Sequence, residues 1–329
     1  MRYAEIGKSG IKASLIGMGT WVTGGWMWGG TDEKEAMNAI KVSIDNGITL
    51  IDTAPAYGKG RSEEIVGEAI KGKRDDLVIA TKCGVEWHDV TKGTSFLTYS
   101  DGSQFNRYLG KDSIIYETEQ SLKRLGTDFI DLMQTHWQDD TTNVEETMEA
   151  LLKLKEQGKI RAIGVSNASL YHLQEYSKYG QLDCDQEKYS MIDREHEKDL
   201  FPWCQKNKIS ILSYGSISMG LLSGNMDPAR KFDGDDYRIS NERFTPENIK
   251  RTNDLIGRYL KPVADKHEAA IGHIAIAWLL MQPGVFALVG SRRTNDAIEN
   301  AKAADLILDG EDMKAIYLFI EEYEKTGKK

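Results

Sequence analysis

Eight short apolar segments, nearly all of them separated by amphipathic stretches, constrain this chain more than any other feature. The apolar segments are Leu15–Gly19, Thr49–Asp52, Leu77–Thr81, Phe129–Gln134, Ala162–Val165, Asp183–Gln186, Ile209–Tyr214 and Phe286–Val289. Between and after them, apolar residues recur at helical spacing in Glu33–Asn46, Ser62–Ile70, Asp112–Leu125, Asn143–Gln157, Ser169–Tyr179, Ile271–Met281, Asn295–Ala303 and Glu311–Glu324. Capping residues such as Thr31-Asp32 and stops such as Gly47, Gly126 and Gly158 bound these helices. Two further helices are expected to be broken by proline, Glu195–Asn207 at Pro202 and Glu247–His267 at Pro262. A strand–helix unit repeated eight times predicts an α/β chain folded as a (β/α)8 TIM barrel. Arg2–Ile6 and Lys12–Ser14, around a Ser9-Gly10 turn, predict an N-terminal β-hairpin. No linker-like composition interrupts the 329 residues, so one domain over 1–329 is expected. The competing doubly wound fold would need G-x-G-x-x-G after its first strand. Here Gly17-Met18-Gly19 lacks the third glycine, and no helix starts there.

Charge and cysteine usage remove several function classes. Lys plus Arg number 42 against 51 Asp plus Glu, a formal charge of −9. Nucleic acid and anionic membranes demand a positive field, so neither is an expected partner. No apolar run approaches the roughly 20 residues that span a bilayer. The first ten residues have no apolar core of the kind a signal peptide carries. Cys83, Cys184 and Cys204 lack C-x-x-C spacing, which argues against a disulfide framework or zinc site and suits a reducing cytoplasm. No metal is expected: none of the six histidines forms the His-x-His pair of a metal-dependent barrel hydrolase.

Active sites of such barrels lie at the C-terminal ends of the strands. Those ends read Gly19-Thr20-Trp21, Asp52, Thr81-Lys82, Thr135-His136-Trp137, Ser166-Asn167, Gln186, Ser213-Tyr214 and Gly290-Ser291-Arg292-Arg293. Singly, an Asp–Lys pair is an ordinary ion pair and a histidine an ordinary core residue. Four such groups at neighbouring strand ends point to chemistry. Lys82 needs a buried partner, and Asp52 supplies it. Tyr57, in the turn after Asp52, would sit beside the ammonium, which is expected to lower its pKa from about 10. His136 is expected to orient a substrate oxygen. This set suits proton delivery to a carbonyl oxygen as hydride reaches the carbon, and a nicotinamide cofactor must bring the hydride.

Two connections, Gly84–Gly110 and Gly215–Thr245, are much longer than the rest and are expected to shape the pocket. Trp21, Trp26 and Trp28 follow the first strand, and Trp87 and His88 lie in the first long loop. With Trp137 they are the candidate substrate-pocket residues, an aromatic wall suited to a small carbonyl compound such as a sugar aldehyde or keto-sugar. His88 and Arg107 could meet a negative substituent.

The chain resembles the aldo-keto reductase superfamily. Asp52-Thr53-Ala54, Tyr57-Gly58, Ser62-Glu63-Glu64 and Gly67 resemble its first signature. Ser121-Leu122-Lys123-Arg124-Leu125, Asp128, Asp131-Leu132 and His136-Trp137 resemble the second, and Lys159-Ile160-Arg161 with Ile163-Gly164-Val165-Ser166-Asn167 the third. The match runs from about Ile6 to Leu306 and is most similar to the bacterial branch of general stress and inositol-operon reductases. The resemblance implies a catalytic tetrad of Asp52, Tyr57, Lys82 and His136. It also implies an NADP-type cofactor across the mouth, near Gly19, Thr20, Trp21 and Asp52. Ser166, Asn167 and Gln186 would hold the carboxamide, and Tyr214 would stack on the nicotinamide. Gly215, Ser216, Leu221 and Ser223 would cover the pyrophosphate. Ser291, Arg292, Glu299 and Asn300 would hold the adenosine end. Gly290 stands where many relatives carry lysine, and Asp296 where they often carry Arg or Gln. NADPH is still expected over NADH, with Arg292 or Arg293 compensating. A cofactor-binding regulatory subunit is the alternative within the superfamily. Nothing in the sequence fixes an oligomeric state.

Overall fold

The computed structural model describes residues 1–99 and 101–326. The unit expected over 1–329 includes Ser100 and residues 327–329, which lie outside the described residues. Tyr3–Glu5 (β1) and Lys12–Ser14 (β2) pair as an antiparallel hairpin. Ile16–Gly19 (β3), Glu33–Asp45 (α1), Leu50–Asp52 (β4), Arg61–Ala69 (α2) and Val78–Cys83 (β5) follow. Val85–Glu86 (β6), Thr94–Thr98 (β7) and Gln104–Arg107 (β8) lie in the first long loop. Then come Lys111–Leu125 (α3), Ile130–Thr135 (β9), Val144–Glu156 (α4), Ile160–Ser166 (β10), Leu170–Tyr179 (α5) and Cys184–Lys188 (β11). Leu200–Asn207 (α6), Ser210–Tyr214 (β12), Pro246–Leu255 (α7), Lys261–Lys266 (α8) and Ile271–Leu280 (α9) continue the series. Val285–Gly290 (β13), Thr294–Lys302 (α10) and Gly310–Glu324 (α11) complete it.

Eight strands close a parallel barrel in the order β10-β11-β12-β13-β3-β4-β5-β9. Successive side chains of a strand point to opposite faces. One set, including Met18, Ile51, Ile79, Met133, Ile163 and Ile211, packs outward under the helices. The alternate set, including Leu50, Val78, Ala80, Leu132, Ala162, Leu212 and Phe286, fills the interior. Ile6, Ile11 and Ala13 of the hairpin join this interior cluster and seal the N-terminal end of the barrel. The interior is tight enough to require glycine at Gly17, where a Cβ would stand 2.6 Å from Leu288 Cδ2.

The two expected proline breaks take other forms. Pro202 sits in the first turn of α6, where a missing N–H costs nothing, and a separate 3₁₀ turn at Glu195–Glu197 precedes it. α7 runs into α8 through a π-helical turn at Ile256–Leu260, so the irregularity falls just before Pro262. The wider turn leaves room for the proline ring against the preceding carbonyls. The first long loop carries a three-stranded antiparallel sheet, ordered β6-β8-β7, that the sequence did not suggest. The second contains only 3₁₀ turns, at Ser218–Ser223, Tyr237–Ile239 and Glu242–Phe244. No described helix is long and apolar enough to cross a membrane.

Candidate active site

The alternation that fills the barrel also builds its mouth. Moving two residues on from interior Leu50, Ala80, Leu132, Cys184 and Leu212 reaches Asp52, Lys82, Gln134, Gln186 and Tyr214. Register brings them level: Lys82 pairs with Gln134, and Ser166 with Gln186. Polar side chains therefore form the last interior layer before solvent.

Lys82 is fully buried, and its Nζ donates to Asp52 Oδ2 at 2.7 Å and to the Thr53 carbonyl at 2.9 Å. The same Nζ lies 3.2 Å from Tyr57 Oη. Asp52 Oδ1 accepts from Gln186 Nε2 at 2.8 Å and from Gln134 Nε2 at 3.2 Å. His136 meets the Tyr57 ring edge-on, with centroids 5.6 Å apart. The four expected residues are thus brought together. Gln134 belongs with them although it was not singled out from the sequence. The signal was present: Leu132, Gln134 and His136 share one parity in a strand otherwise apolar on its inner face.

The electrostatics correct one expectation. Burial pushes the Tyr57 hydroxyl above its ordinary pKa; Lys82 pulls it down but does not win, and Asp52 adds to the rise. The expected fall considered the ammonium without the loss of solvation. Burial pulls the Lys82 pKa down, yet Asp52, then Tyr57, outweigh it and hold the ammonium above its usual range. His136 is held well below its ordinary value, first by burial and then by Lys82, so the imidazole is neutral.

The turn bearing Tyr57 is fixed by close backbone approach. A Cβ on Gly24 would stand 2.6 Å from the Tyr57 carbonyl oxygen, so the loop after β3 reaches Tyr57 only as glycine. Thr20 anchors the same loop, its Oγ1 donating to the Asp52 carbonyl at 2.9 Å.

Ser166, Asn167 and Tyr214 form one network. Tyr214 Oη donates to Asn167 Oδ1 at 2.7 Å, and Asn167 Nδ2 donates to the His136 carbonyl at 2.9 Å and to Ser166 Oγ at 3.1 Å. Asn167 has φ +51, a left-handed conformation that asparagine tolerates and that recurs at functional sites. The Gln186 side chain is engaged with Asp52, while its carbonyl accepts from Ser166 Oγ at 2.8 Å and from the Asn167 N–H at 3.1 Å. Further around the rim, Ser216 is buried and donates to the Leu288 carbonyl at 2.9 Å. Leu221 packs in a small cluster with Met226, Phe244 and Ile249, and Ser223 donates to the Gly220 carbonyl. Gly215 turns the chain between Tyr214 and Ser216 at φ +68.

The opposite rim holds the basic groups. Arg292 donates to the carbonyls of Trp28 and Gly30, and its Nε is buried without an acceptor among the described residues. Two guanidiniums approach the Trp28 ring, that of Arg238 at 4.8 Å and that of Arg292 at 5.5 Å from its centroid. Asp235 accepts from the Met27 and Gly29 amides, so the loop after β3 is joined to the second long loop beside this tryptophan. Ser291 is buried and accepts from Asn300 Nδ2 at 3.0 Å. Glu299 pairs with Lys302 and lies 3.2 Å from His273 Nε2. Arg293 pairs with Asp296 at 2.9 Å, which neutralises the carboxylate next to this corner. An orphaned guanidinium N–H beside a buried serine near the N-terminus of α10 fits a phosphate.

The aromatic candidates divide. Trp21 lies 6.4 Å from the Tyr57 ring and edge-on to Trp28 at 5.3 Å. Trp26 stacks on Tyr99 at 4.5 Å, and Trp87 packs on Phe105 at 5.2 Å. Trp137 packs on Phe96 at 5.2 Å. His88 is the exception and corrects the expectation that it lines the pocket. It is exposed and stands edge-on to Tyr116 of α3, because Glu86 caps its backbone N–H and turns the chain outward.

The sequence model of the Aldo/keto reductase family matches residues 15–321. Aldo-keto reductase YhdN of Bacillus subtilis is 41% identical over 324 residues, covering 98% of this chain and 94% of the relative. The NADH-specific methylglyoxal reductase of Escherichia coli is 36% identical over 332 residues, covering 99% and 100%. Among solved structures, an aldo-keto reductase from Klebsiella pneumoniae in complex with NADPH superposes with a TM-score of 0.74 at 27% identity, covering 97% of this chain and 96% of that one.

Proposed function

This chain belongs to the aldo/keto reductase family of oxidoreductases, and we propose that it reduces an aldehyde or ketone to the alcohol with NADPH, Tyr57 acting as the acid. The observation that carries this reading is the position of Lys82 Nζ, 2.7 Å from Asp52 and 3.2 Å from the Tyr57 hydroxyl in full burial. Hydride for the carbonyl carbon would come from the bound cofactor. Tyr57 delivers its proton to the carbonyl oxygen, and Lys82, fixed by Asp52, stabilises the phenolate left behind. Neutral His136 donates a hydrogen bond that orients the oxygen. Gln134 and Gln186 keep Asp52 turned toward Lys82.

Ser166, Asn167 and Gln186 would receive the carboxamide, and Tyr214 the nicotinamide face. Gly19, Thr20 and Trp21 border that end of the groove. Gly215, Ser216, Leu221 and Ser223 would cover the pyrophosphate. Ser291, Arg292, Glu299 and Asn300 would take the adenosine end. The unmade Arg292 Nε and the neutralised Asp296 support a 2′-phosphate, hence NADPH over NADH. The Escherichia coli relative's name makes both cofactors worth titrating. Trp21, Trp26, Trp28, Trp87 and Trp137 would wall a small carbonyl substrate. Sugar aldehydes and keto-sugars head the classes to test. One domain over 1–329, working in the cytoplasm, completes the proposal.

The test is NADPH oxidation measured across sugar and non-sugar carbonyl compounds. Turnover with at least one class supports the reading. Tight NADPH binding with no turnover across the panel would favour a regulatory member instead.

A further inference from the structure

The wall of the mouth built by β6, β8 and β7 carries a charge that the proposed reduction does not use. Phe105 and Arg107 are two residues apart on β8, so their side chains leave the same face of this sheet. Phe105 packs with Ala56, the residue before Tyr57, in a cluster that Trp137 joins. The Arg107 guanidinium lies over two rings, 4.5 Å from the centroid of Phe96 and 5.0 Å from that of Trp137, the residue after His136. The guanidinium makes no hydrogen bond to any described residue.

Other cations around the mouth are engaged. Lys82 is held by Asp52, Lys59 by Asp101, Arg238 by Asp236, and Arg292 by two loop carbonyls. Arg107 has no carboxylate partner among the described residues, and its Nε is buried without an acceptor. An unmade buried donor is costly, and an acceptor carried by a ligand removes that cost. A guanidinium on an aromatic shelf matches carboxylate or phosphate geometry.

We infer that the substrate is a carbonyl compound bearing an anionic group, carboxylate or phosphate, which Arg107 receives on the Phe96–Trp137 shelf while the carbonyl lies at Tyr57 and His136. This rests on the reductase reading and narrows its substrate class. The chemistry is unchanged: the carbonyl carbon gains hydride, the oxygen gains a proton, and the anionic group takes no part.

Two substrate pairs test it. The first is 4-carboxybenzaldehyde against methyl 4-formylbenzoate; the second is glyceraldehyde 3-phosphate against glyceraldehyde. In at least one pair the anionic member is expected to have the higher kcat/KM by about tenfold or more, expressed in KM. The ratio shrinks between about 20 mM and about 300 mM KCl. The pair that shows it identifies the anion. Arg107→Met should collapse the ratio, and Arg107→Lys should restore part of it. Because Arg107 also packs on two rings, thermal melting of each variant accompanies the kinetics. Quenching of tryptophan fluorescence by 4-(hydroxymethyl)benzoate gives a second readout, expected to be about tenfold weaker in Arg107→Met. Ratios near one in both pairs for the native enzyme overturn the inference, as does an Arg107→Met loss that is equal for both members of a pair. If no carbonyl compound consumes NADPH, the reductase reading fails, and the quenching titration alone decides whether Arg107 binds the anion.

Discussion

Gln186 and Asp52 stand on opposite sides of the eight-stranded barrel and meet across its mouth, the Gln186 amide donating to Asp52 Oδ1 at 2.8 Å. Lys82 takes the other oxygen, so the carboxylate is satisfied at both ends and locked in place. Asp52→Asn keeps the shape but leaves a buried ammonium unpaired. It should lower unfolding free energy by roughly 3–5 kcal/mol and reduce kcat by about 100-fold or more. Denaturant titration and NADPH oxidation measure the two effects; an unchanged unfolding midpoint would contradict the pairing.

Proton supply has a definite pH signature. Because burial outweighs Lys82, Tyr57 keeps its proton above the ordinary tyrosine range. His136 is neutral well below its ordinary range, so it adds no limb near pH 6.5. The kcat for reduction should be flat from about pH 6 to about pH 9 and fall only in more alkaline solution. Alcohol oxidation should rise with pH, because Tyr57 must then be deprotonated. Tyr57→Phe should cost about 10²–10⁴ in kcat while leaving NADPH affinity close to the native value by fluorescence titration. An alkaline limb below pH 8 would mean that the ammonium controls Tyr57 after all.

A second buried acid makes stability pH-dependent. Both Glu117 oxygens accept from the Gly84 amide at 3.0 Å. Burial, then the nearby Glu86 carboxylate, raise Glu117 to about 8. The folded chain therefore holds a proton that the unfolded chain releases above about pH 4.3. That contribution is complete at lower pH and is lost as pH rises through about 8. Glu117→Gln should melt with the native protein near pH 5 and roughly 3 °C above it near pH 9. Melting curves that stay parallel across this range would rule the effect out.

Gly24→Ala tests the backbone contact behind Tyr57. The added methyl would displace the Tyr57 carbonyl and shift the turn by a fraction of an ångström. A small displacement of the acid should cost roughly 10–100-fold in kcat. The adenosine end of the groove is remote, so NADPH affinity should change much less. Native-like kcat in a folded Gly24→Ala protein would show that the loop can yield.

The barrel was legible because its strands are apolar and its helices announce their ends. Asp32, Asn143 and Ser169 cap α1, α4 and α5 through their side chains at the positions their residue types suggest. The sheet in the first long loop was not legible. β6 has two residues, and β7 is mostly exposed and shows no clean alternation. The positions of Asp52, Lys82 and His136 could be read from strand ends and that of Tyr57 from the turn after Asp52, but not the direction of the Tyr57 shift. That depends on how much water burial removes, which residue types do not encode. Trp28 brings together Arg238 and Arg292, far apart in the chain, through a loop geometry without local signal.

Closure of the barrel has a consequence for biosynthesis. β3 pairs with β13, so strands formed near residue 16 wait for residues near 290 before their edge is covered. A ribosome-bound chain of about 250 residues would already contain Asp52, Lys82, Gln134 and Gln186, yet its sheet would still have two open edges. Such non-local pairing folds slowly and leaves apolar strands exposed meanwhile. The Asp52–Lys82 ion pair reaches its final, water-free setting only after the residues near 290 have been made. A truncated nascent chain should therefore depend on chaperones, and release of the last helices should coincide with the gain of NADPH binding.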